Sequence, residues 1–127
     1  MRYQLAPTSL NVVTQDQLMQ KAHEFADVEV CGVITRTNDI VMIANVSPEP
    51  EKYFQMAQED WFALSRSHSP NDILGIFHTH PSQASFPSVL DVEALHEGSY
   101  LLPHWKYWIV TKQGVFEWEF DYDPAVL

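Results

Sequence analysis

The spacing of hydrophobic residues along the chain predicts three helices. They are expected at residues 15–26, 58–67 and 88–97. Thr14 followed by Gln17 forms a capping-box pattern, which favours a helix start at that point. Ser88 is a favourable capping residue for the third helix, and Gly98 is a favourable stop signal after it. The expected buried residues of the first two helices are Leu18, Ala22, Phe25, Trp61, Phe62 and Leu64.

Shorter apolar segments between and after these helices predict strands. They cover residues 29–35, 40–46, 53–56, 73–77, 105–111 and 115–122. Turn signals at Thr37-Asn38-Asp39 and at Gln113-Gly114 each join two of these strands into a hairpin. Residues 73–77 form a continuous apolar run, which is typical of a strand buried on both faces. Helices that alternate with such strands predict an α/β or α+β sandwich.

Length and charge exclude several classes of protein. The chain has 127 residues, which is typical of a single domain covering residues 1–127. Its hydrophobic content of 46% indicates a globular protein. Seventeen acidic residues against seven basic residues give a net charge of −10, which argues against binding to nucleic acid or to anionic lipid. The acidic surface either keeps the protein solvated or favours basic partners.

The single cysteine and the apolar segments limit the expected location. Cys31 is the one cysteine in the sequence, so an internal disulfide framework is excluded. The N-terminal residues lack the apolar run of a signal peptide, and no apolar segment is long enough to span a bilayer. We therefore expect synthesis in the cytoplasm without membrane association. Leaderless export, or incorporation into a particle, stays open.

His78-Thr79-His80 follows the apolar run and is the strongest chemical signal in the chain. Alternate residues of a strand point the same way, so the two imidazoles can share one face. Asp91 follows after a loop, on the third predicted helix. Two imidazoles and one carboxylate suit a catalytic Zn²⁺ with an open fourth position. The same set serves non-haem Fe(II), but the order here, with both histidines close together and first, does not favour iron. Residue types and spacing alone leave a metal site and ordinary hydrogen-bonded histidines equally open.

Ser88, Asp91 and Glu29 each have a second interpretation. Ser88 is expected as the N-cap of its helix, and the helix dipole favours a carboxylate at Asp91 in the first turn. A serine hydroxyl near a metal also suits donation to a developing oxyanion. A general base has to come from elsewhere in the chain. Glu29, at the start of a predicted strand, is one of many glutamates that could supply it.

These residues together resemble the motif of the JAMM/MPN metallopeptidase family. That motif is a distant Glu, then His-[Ser/Thr]-His, seven residues, Ser, two residues and Asp, and this chain fills every position. The resemblance covers nearly the whole chain. It implies a single MPN-like domain with a cytidine-deaminase-like fold, in which a mixed sheet lies between helices. It also implies one Zn²⁺ per chain, with His78, His80 and Asp91 as ligands, Glu29 as general acid/base and Ser88 as oxyanion stabiliser.

Two segments, 53–61 and 76–81, are similar to the bacterial and phage branch of this family, notably to the N-terminal domain of lambda-like phage tail assembly proteins. The resemblance implies hydrolysis of a peptide or isopeptide bond, in a cell-wall or phage tail context. The implied substrates are a peptidoglycan peptide, a tail protein or a ubiquitin-like or sulfur-carrier protein. A separate NlpC-type cysteine peptidase is an implied partner. A non-catalytic MPN scaffold that binds a partner is the remaining alternative.

The other histidines, the cysteine and two tryptophans carry no motif signal. Cys31 is expected to be a small buried residue beside Gly32 rather than a nucleophile. Trp105 and Trp108 are expected in the core or at its rim. Ordinary surface or capping roles are expected for His23, His68, His96 and His104.

Overall fold

The computed structural model describes residues 2–96 and 105–121. In chain order the elements are β1 (Arg2–Ala6), α1 (Val12–Glu24), β2 (Cys31–Thr35), β3 (Ile40–Ile43), α2 (Gln58–Ser67), a 3₁₀ turn (Pro70–Asp72), β4 (Ile73–Thr79), α3 (Val89–His96), β5 (Lys106–Val110) and β6 (Val115–Asp121). None of the helices in this part of the chain is long and apolar enough to cross a bilayer.

The strands form one mixed sheet. Its spatial order is β1-β6-β5-β4-β2-β3. Among the described strands, β4 and β5 pair in parallel, and each of the other neighbouring pairs is antiparallel. Cys31, His78 and Ile109 lie side by side across β2, β4 and β5. The predicted mixed α+β fold is therefore confirmed, and β4 lies in the interior of the sheet.

Helices cover both faces of the sheet. On one face Leu64 of α2 belongs to a core cluster with Val33 and Ile76. On the other face Leu18 of α1 belongs to a second cluster with Phe77. Successive strand residues point to opposite faces, so one short strand such as β4 supplies both clusters. The prediction that 73–77 is buried on both faces is confirmed, and β4 continues through His78 and Thr79.

Close strand packing explains one glycine in β2 and one in β4. A Cβ at Gly32 would lie 2.2 Å from the Val41 carbonyl oxygen and 2.8 Å from the Phe77 ring. A Cβ at Gly75 would lie 2.1 Å from the Lys106 carbonyl oxygen. Neither position has room for a side chain without moving backbone atoms, so glycine is required for the strands to approach this closely.

The first helix begins three residues before its predicted start. Asn11 is its N-cap and accepts a hydrogen bond from the Thr14 backbone N–H at 2.8 Å. The predicted cap, Thr14, is buried, and its hydroxyl donates to the Asn38 carbonyl oxygen. The capping-box prediction was therefore wrong, because Asn11 competes for the same role. Phe25 was also wrongly predicted to be buried, since it ends the helix and is 38% exposed.

The second helix is confirmed at its predicted bounds, although its buried face is narrower. Leu64 is buried and Trp61 packs against the same core, but Phe62 is 59% exposed. The predicted strand at 53–56 is reduced to an isolated bridge between Met56 and Asn45. Strand β1 was not predicted. The predicted end of the third helix, at Glu97 and Gly98, lies outside the described residues, as does His104.

Candidate metal centre

Four ligand-type side chains converge at the end of β4. They belong to Glu29, His78, His80 and Asp91, and all four residues are buried. One ligand atom from each lies within 4.8 Å of the others. Residues up to 62 positions apart in sequence therefore meet at one point, and the structure brings together the whole predicted set except Ser88, which lies beside it.

The two histidines turn their Nε2 atoms toward each other. His78 is the second-last residue of β4, and its ring stacks on Phe54 at 4.6 Å between centroids. His80 follows the strand, and its backbone N–H donates to the Val110 carbonyl oxygen at the end of β5. The two Nε2 atoms are 2.9 Å apart. Strand alternation, as predicted, places both imidazoles on one face.

Asp91 enters the site from the first turn of α3. Its Oδ2 lies 3.2 Å from His78 Nε2 and 2.9 Å from His80 Nε2. The same oxygen accepts the Ser88 backbone N–H, and the Asp91 backbone N–H donates to Ser88 Oγ. Burial opposes ionisation of Asp91, but the charges and hydrogen bonds of the two histidines hold its pKa well below the usual range. Asp91 is therefore an anion at neutral pH.

Glu29 lies just before β2 rather than in a strand. The strand predicted for residues 29–35 therefore begins two residues later than expected, at Cys31. Its backbone is fixed by the N–H bond to the Pro50 carbonyl oxygen and by the Asn45 amide, which donates to the Glu29 carbonyl oxygen. The next residue, Val30, exchanges two hydrogen bonds with Thr79, one of them to the threonine hydroxyl. Thr79 thereby anchors the glutamate to the strand of the histidines.

The carboxylate of Glu29 has an unusual environment. Its Oε1 lies 3.9 Å from His78 Nε2 and has no hydrogen-bond partner. Burial, and secondarily the negative charge of Asp91, raise the pKa of Glu29 to about 9. In the metal-free protein this carboxyl group is therefore protonated at neutral pH. A cation bound among these side chains would favour the ionised form instead.

The loop between β4 and α3 fixes the orientation of His80. Its Nδ1–H donates to the Ala84 carbonyl oxygen at 2.8 Å. Gln83 adopts a left-handed conformation at φ 65° and accepts the Lys112 backbone N–H on its side-chain oxygen. The Trp118 indole N–H donates to the Ser85 carbonyl oxygen. Sequence analysis missed these supports, because nothing in the pattern links Lys112 or Trp118 to this loop.

The donor set fits a metal ion. Because a carbonyl oxygen can only accept, the bond to Ala84 places the proton of a neutral His80 on Nδ1. His80 Nε2 therefore presents a lone pair to Asp91 Oδ2 at 2.9 Å. Two lone pairs meet at this distance only with a proton or a cation between them. Two imidazole nitrogens and a carboxylate oxygen suit Zn²⁺, and the four residues match the JAMM motif.

The predicted burial of Cys31 and of two tryptophans is confirmed, and two of the remaining histidines lie on the surface or at the end of a helix, as expected. Cys31 is fully buried, its thiol donates to the Ile43 carbonyl oxygen, and burial raises its pKa to about 12. Trp105 and Trp108 belong to the core. His23 is exposed on α1, and His68 ends α2.

Comparison with solved structures supports the fold. The solution structure of protein DSY2949 from Desulfitobacterium hafniense is similar to this chain, with a TM-score of 0.55 and 20% identity over 80% of this chain and 83% of that one. At this identity the likeness concerns the fold alone. No curated protein matches the sequence.

Comparison with family models is more specific. The model of the prokaryotic homologs of the JAB domain matches residues 12–121. The match spans all four residues of the buried cluster and Ser88. It thus covers the helices, the mixed sheet apart from β1, and the loop between β4 and α3. The chain belongs to the family of prokaryotic JAB-domain homologs.

Proposed function

We propose that this protein is a zinc-dependent peptidase that hydrolyses a peptide or isopeptide amide bond. The observation that carries the proposal is the buried cluster, in which Glu29 has an unpartnered carboxyl oxygen 3.9 Å from a histidine nitrogen. A buried polar atom without a partner costs free energy, and such groups are concentrated at functional sites. A purely structural glutamate would use this oxygen in a hydrogen bond.

His78, His80 and Asp91 would hold the metal. Three protein ligands that leave one position open are the usual set of a catalytic zinc site. When bound, the ion would supply Lewis-acid polarisation of the scissile carbonyl and would lower the pKa of a bound water to about 7. Non-haem Fe(II) accepts the same ligand types, so metal analysis is part of the test.

Glu29 would carry the proton through the reaction. Its free oxygen lies beside the ligand atoms, where it can accept a proton from the attacking water. As the C–N bond breaks, Glu29 would deliver that proton to the leaving amine nitrogen. The positive charge of a bound cation would lower its pKa from about 9 toward the working range of a general base.

Ser88 would stabilise the oxyanion that forms on the substrate carbonyl. Its Oγ accepts the Asp91 backbone N–H, so the helix cap uses a lone pair and leaves the hydroxyl proton free to donate. The hydrogen bond from the Ser88 backbone N–H to Asp91 fixes the serine beside the ligand set. One preorganised donor of this kind contributes about 10²–10³ in rate.

The substrate is proposed to be a peptide in a cell-wall or phage tail context, as the resemblance to the bacterial and phage branch implies. Phe86, Val89 and Leu90 flank Ser88 in sequence and are exposed. They offer an apolar surface beside the proposed oxyanion donor, which suits a peptide side chain next to the scissile bond. A ubiquitin-like or sulfur-carrier conjugate is the competing substrate.

Metal binding is the first test. We expect one zinc per chain after loading and dialysis, measured by elemental analysis, with the ion lost in His78→Ala and in Asp91→Ala. The matched controls are His23→Ala and Glu93→Ala, which remove an exposed histidine and an exposed carboxylate from helices. A wild-type protein that accepts no zinc, or controls that lose it equally, would refute the proposal.

Substrate cleavage is the second test. Zinc-loaded protein is incubated with muropeptides and with a carrier-protein conjugate, and the products are identified by mass spectrometry. Cleavage of muropeptides supports the cell-wall assignment, and cleavage of the conjugate alone supports an isopeptidase. A zinc-loaded protein that cleaves neither but forms a stable complex would identify a binding scaffold and overturn the enzymatic proposal.

A further inference from the structure

Three buried side-chain atoms in the described part of the chain lack a hydrogen-bond partner, and all three lie around the metal centre. They are Glu29 Oε1, His78 Nδ1 and the Tyr107 hydroxyl. The proposed reaction accounts for the glutamate. It does not account for a buried tyrosine hydroxyl, nor for the second nitrogen of a metal-binding histidine. Each unpartnered buried group of this kind calls for an explanation.

Tyr107 and His78 are neighbours on the same face of the sheet. Tyr107 lies in β5, opposite Ile76 in the parallel pairing, two residues before His78 in β4. Its ring centroid is 5.4 Å from that of His78, and its other side packs edge-on against Phe120 at 5.1 Å. Tyr107 is 1% exposed, so substrate cannot reach its hydroxyl. Any role of this hydroxyl has to act through a neighbouring group.

The two histidines differ in how their protons are placed. His80 Nδ1–H donates to a backbone carbonyl, which leaves a lone pair on Nε2 for a metal. His78 has no such acceptor at Nδ1 among the described residues, while its Nε2 lies 3.2 Å from Asp91 Oδ2. Without an acceptor at Nδ1, the proton of a neutral His78 would move to Nε2 and bond to Asp91. That tautomer cannot bind a metal through Nε2.

We propose that the Tyr107 hydroxyl accepts the Nδ1–H of His78 through one bridging water, and so holds His78 in the tautomer that binds metal through Nε2. Tyr107 is then a positioning residue for the metal centre. This inference rests on the proposed function, since it presumes that His78 is a ligand. It assigns a purpose to both atoms that the reaction leaves unpartnered.

The surroundings of Tyr107 suit an acceptor. Burial and the negative charges of Asp91 and Glu29 raise the pKa of its phenol well above the usual value, so it stays a neutral hydroxyl. A neutral hydroxyl accepts one hydrogen bond and donates another. The packing against Phe120 and His78 restricts the tyrosine ring.

The test compares Tyr107→Phe with wild type in the metal-free state. The substitution keeps the ring and removes only the hydroxyl. Nitrogen chemical shifts in ¹⁵N-labelled protein report which imidazole nitrogen carries the proton. We expect His78 to carry it on Nδ1 in wild type and largely on Nε2 in the variant, with His80 unchanged. Tyr53→Phe is the matched control, because Tyr53 is half-buried and adjoins Phe54, which stacks on His78.

Zinc affinity is the second measurement. Loss of an outer partner of a ligating histidine weakens metal binding by about 10–100-fold. We expect that loss in Tyr107→Phe and none in Tyr53→Phe, in competition titrations with a chelator. An unchanged His78 tautomer in a folded Tyr107→Phe protein would overturn the inference, even if affinity falls. If wild type binds no zinc, the proposed function fails, whereas the tautomer measurement still decides the role of Tyr107.

Discussion

Among the described residues two glutamates are buried, on opposite faces of one sheet, and their surroundings differ completely. Glu117 in β6 is 2% exposed and accepts hydrogen bonds from the Trp108 indole N–H and from the backbone N–H and hydroxyl of Ser9. Glu29 is 3% exposed and leaves Oε1 without a partner. Burial alone therefore does not identify a functional carboxylate.

The difference lies in the hydrogen-bond donors that surround each carboxyl group. The three donors around Glu117 satisfy its buried carboxyl group and link β5, β6 and the segment after β1, which is a structural role. Glu29 lies among ligand-type side chains and has no donor on Oε1. A buried carboxyl group with hydrogen-bond partners serves the fold, while one with an unpartnered oxygen has to be explained by a reaction or a ligand.

The largest expected contrast is in catalysis. Glu29→Gln should retain zinc and lose hydrolysis by about 10²–10⁴-fold, because an amide cannot take up and return the proton. Glu117→Gln should hydrolyse substrate at nearly the wild-type rate, since it lies on the opposite face. Steady-state kinetics on the substrate found by cleavage screening, with zinc content measured in parallel, would check this. Equal losses of hydrolysis in the two variants would show that Glu29 has no special role in the reaction.

For the free energy of unfolding, replacing Glu117 should have the larger effect and replacing Glu29 the smaller one. Glu117→Leu removes the acceptor of the Trp108 N–H and of Ser9, and should lower the free energy of unfolding by about 2–3 kcal/mol. Glu29→Leu in the metal-free protein removes a group whose Oε1 is unpartnered, so a neutral or stabilising effect is expected. Urea denaturation of both metal-free variants at pH 7 measures the two values. A large loss in Glu29→Leu would mean that Glu29 has a structural role.

The pH dependence of the free energy of unfolding tests the protonation state of Glu29. In the metal-free protein burial raises the folded-state pKa of Glu29 to about 9, above the ordinary value of 4.5 for a glutamate side chain. The folded state then binds the proton more tightly, so this stabilisation is present below pH 4.5 and is lost as the pH rises toward 9. Relative to Glu29→Gln, the free energy of unfolding of wild type should fall by up to about 1.4 kcal/mol per pH unit in that window.

The measurement is urea denaturation of metal-free wild type and Glu29→Gln at intervals from pH 5 to pH 9. Taking the difference between the two proteins removes the contribution of His78, whose lowered pKa acts equally in both. Zinc loading is the control. A bound cation favours the ionised glutamate, so the difference in free energy of unfolding between the two proteins should no longer change with pH. A difference that stays constant with pH would mean that Glu29 is ionised in the metal-free fold.

Some features followed from local sequence patterns, and others depended on contacts between distant segments. Residues 58–67 were predicted at the bounds that the structure gives, because the helical period and its flanking residues are local. Strand β1 and the exposure of Phe62 depend on which surfaces other segments cover. The N-cap at Asn11 was missed because Thr14 carries an equally good capping pattern. In the structure Asn11 accepts the Thr14 backbone N–H, and the Thr14 hydroxyl donates to the Asn38 carbonyl oxygen.

The candidate ligand types and the resemblance to a metallopeptidase family could be recognised without the fold, because His-x-His at the end of an apolar strand and Ser-x-x-Asp at a helix start are local arrangements. The residue pattern left Glu29 as one of many candidate bases, the family resemblance implied it, and the tertiary structure shows that it reaches the site through the pairing of β2 with β4. The position of Tyr107 beside His78 became visible only in the fold, through the parallel pairing of β4 with β5. Neither pairing leaves a local signal, because strand neighbours are chosen by packing of the whole sheet.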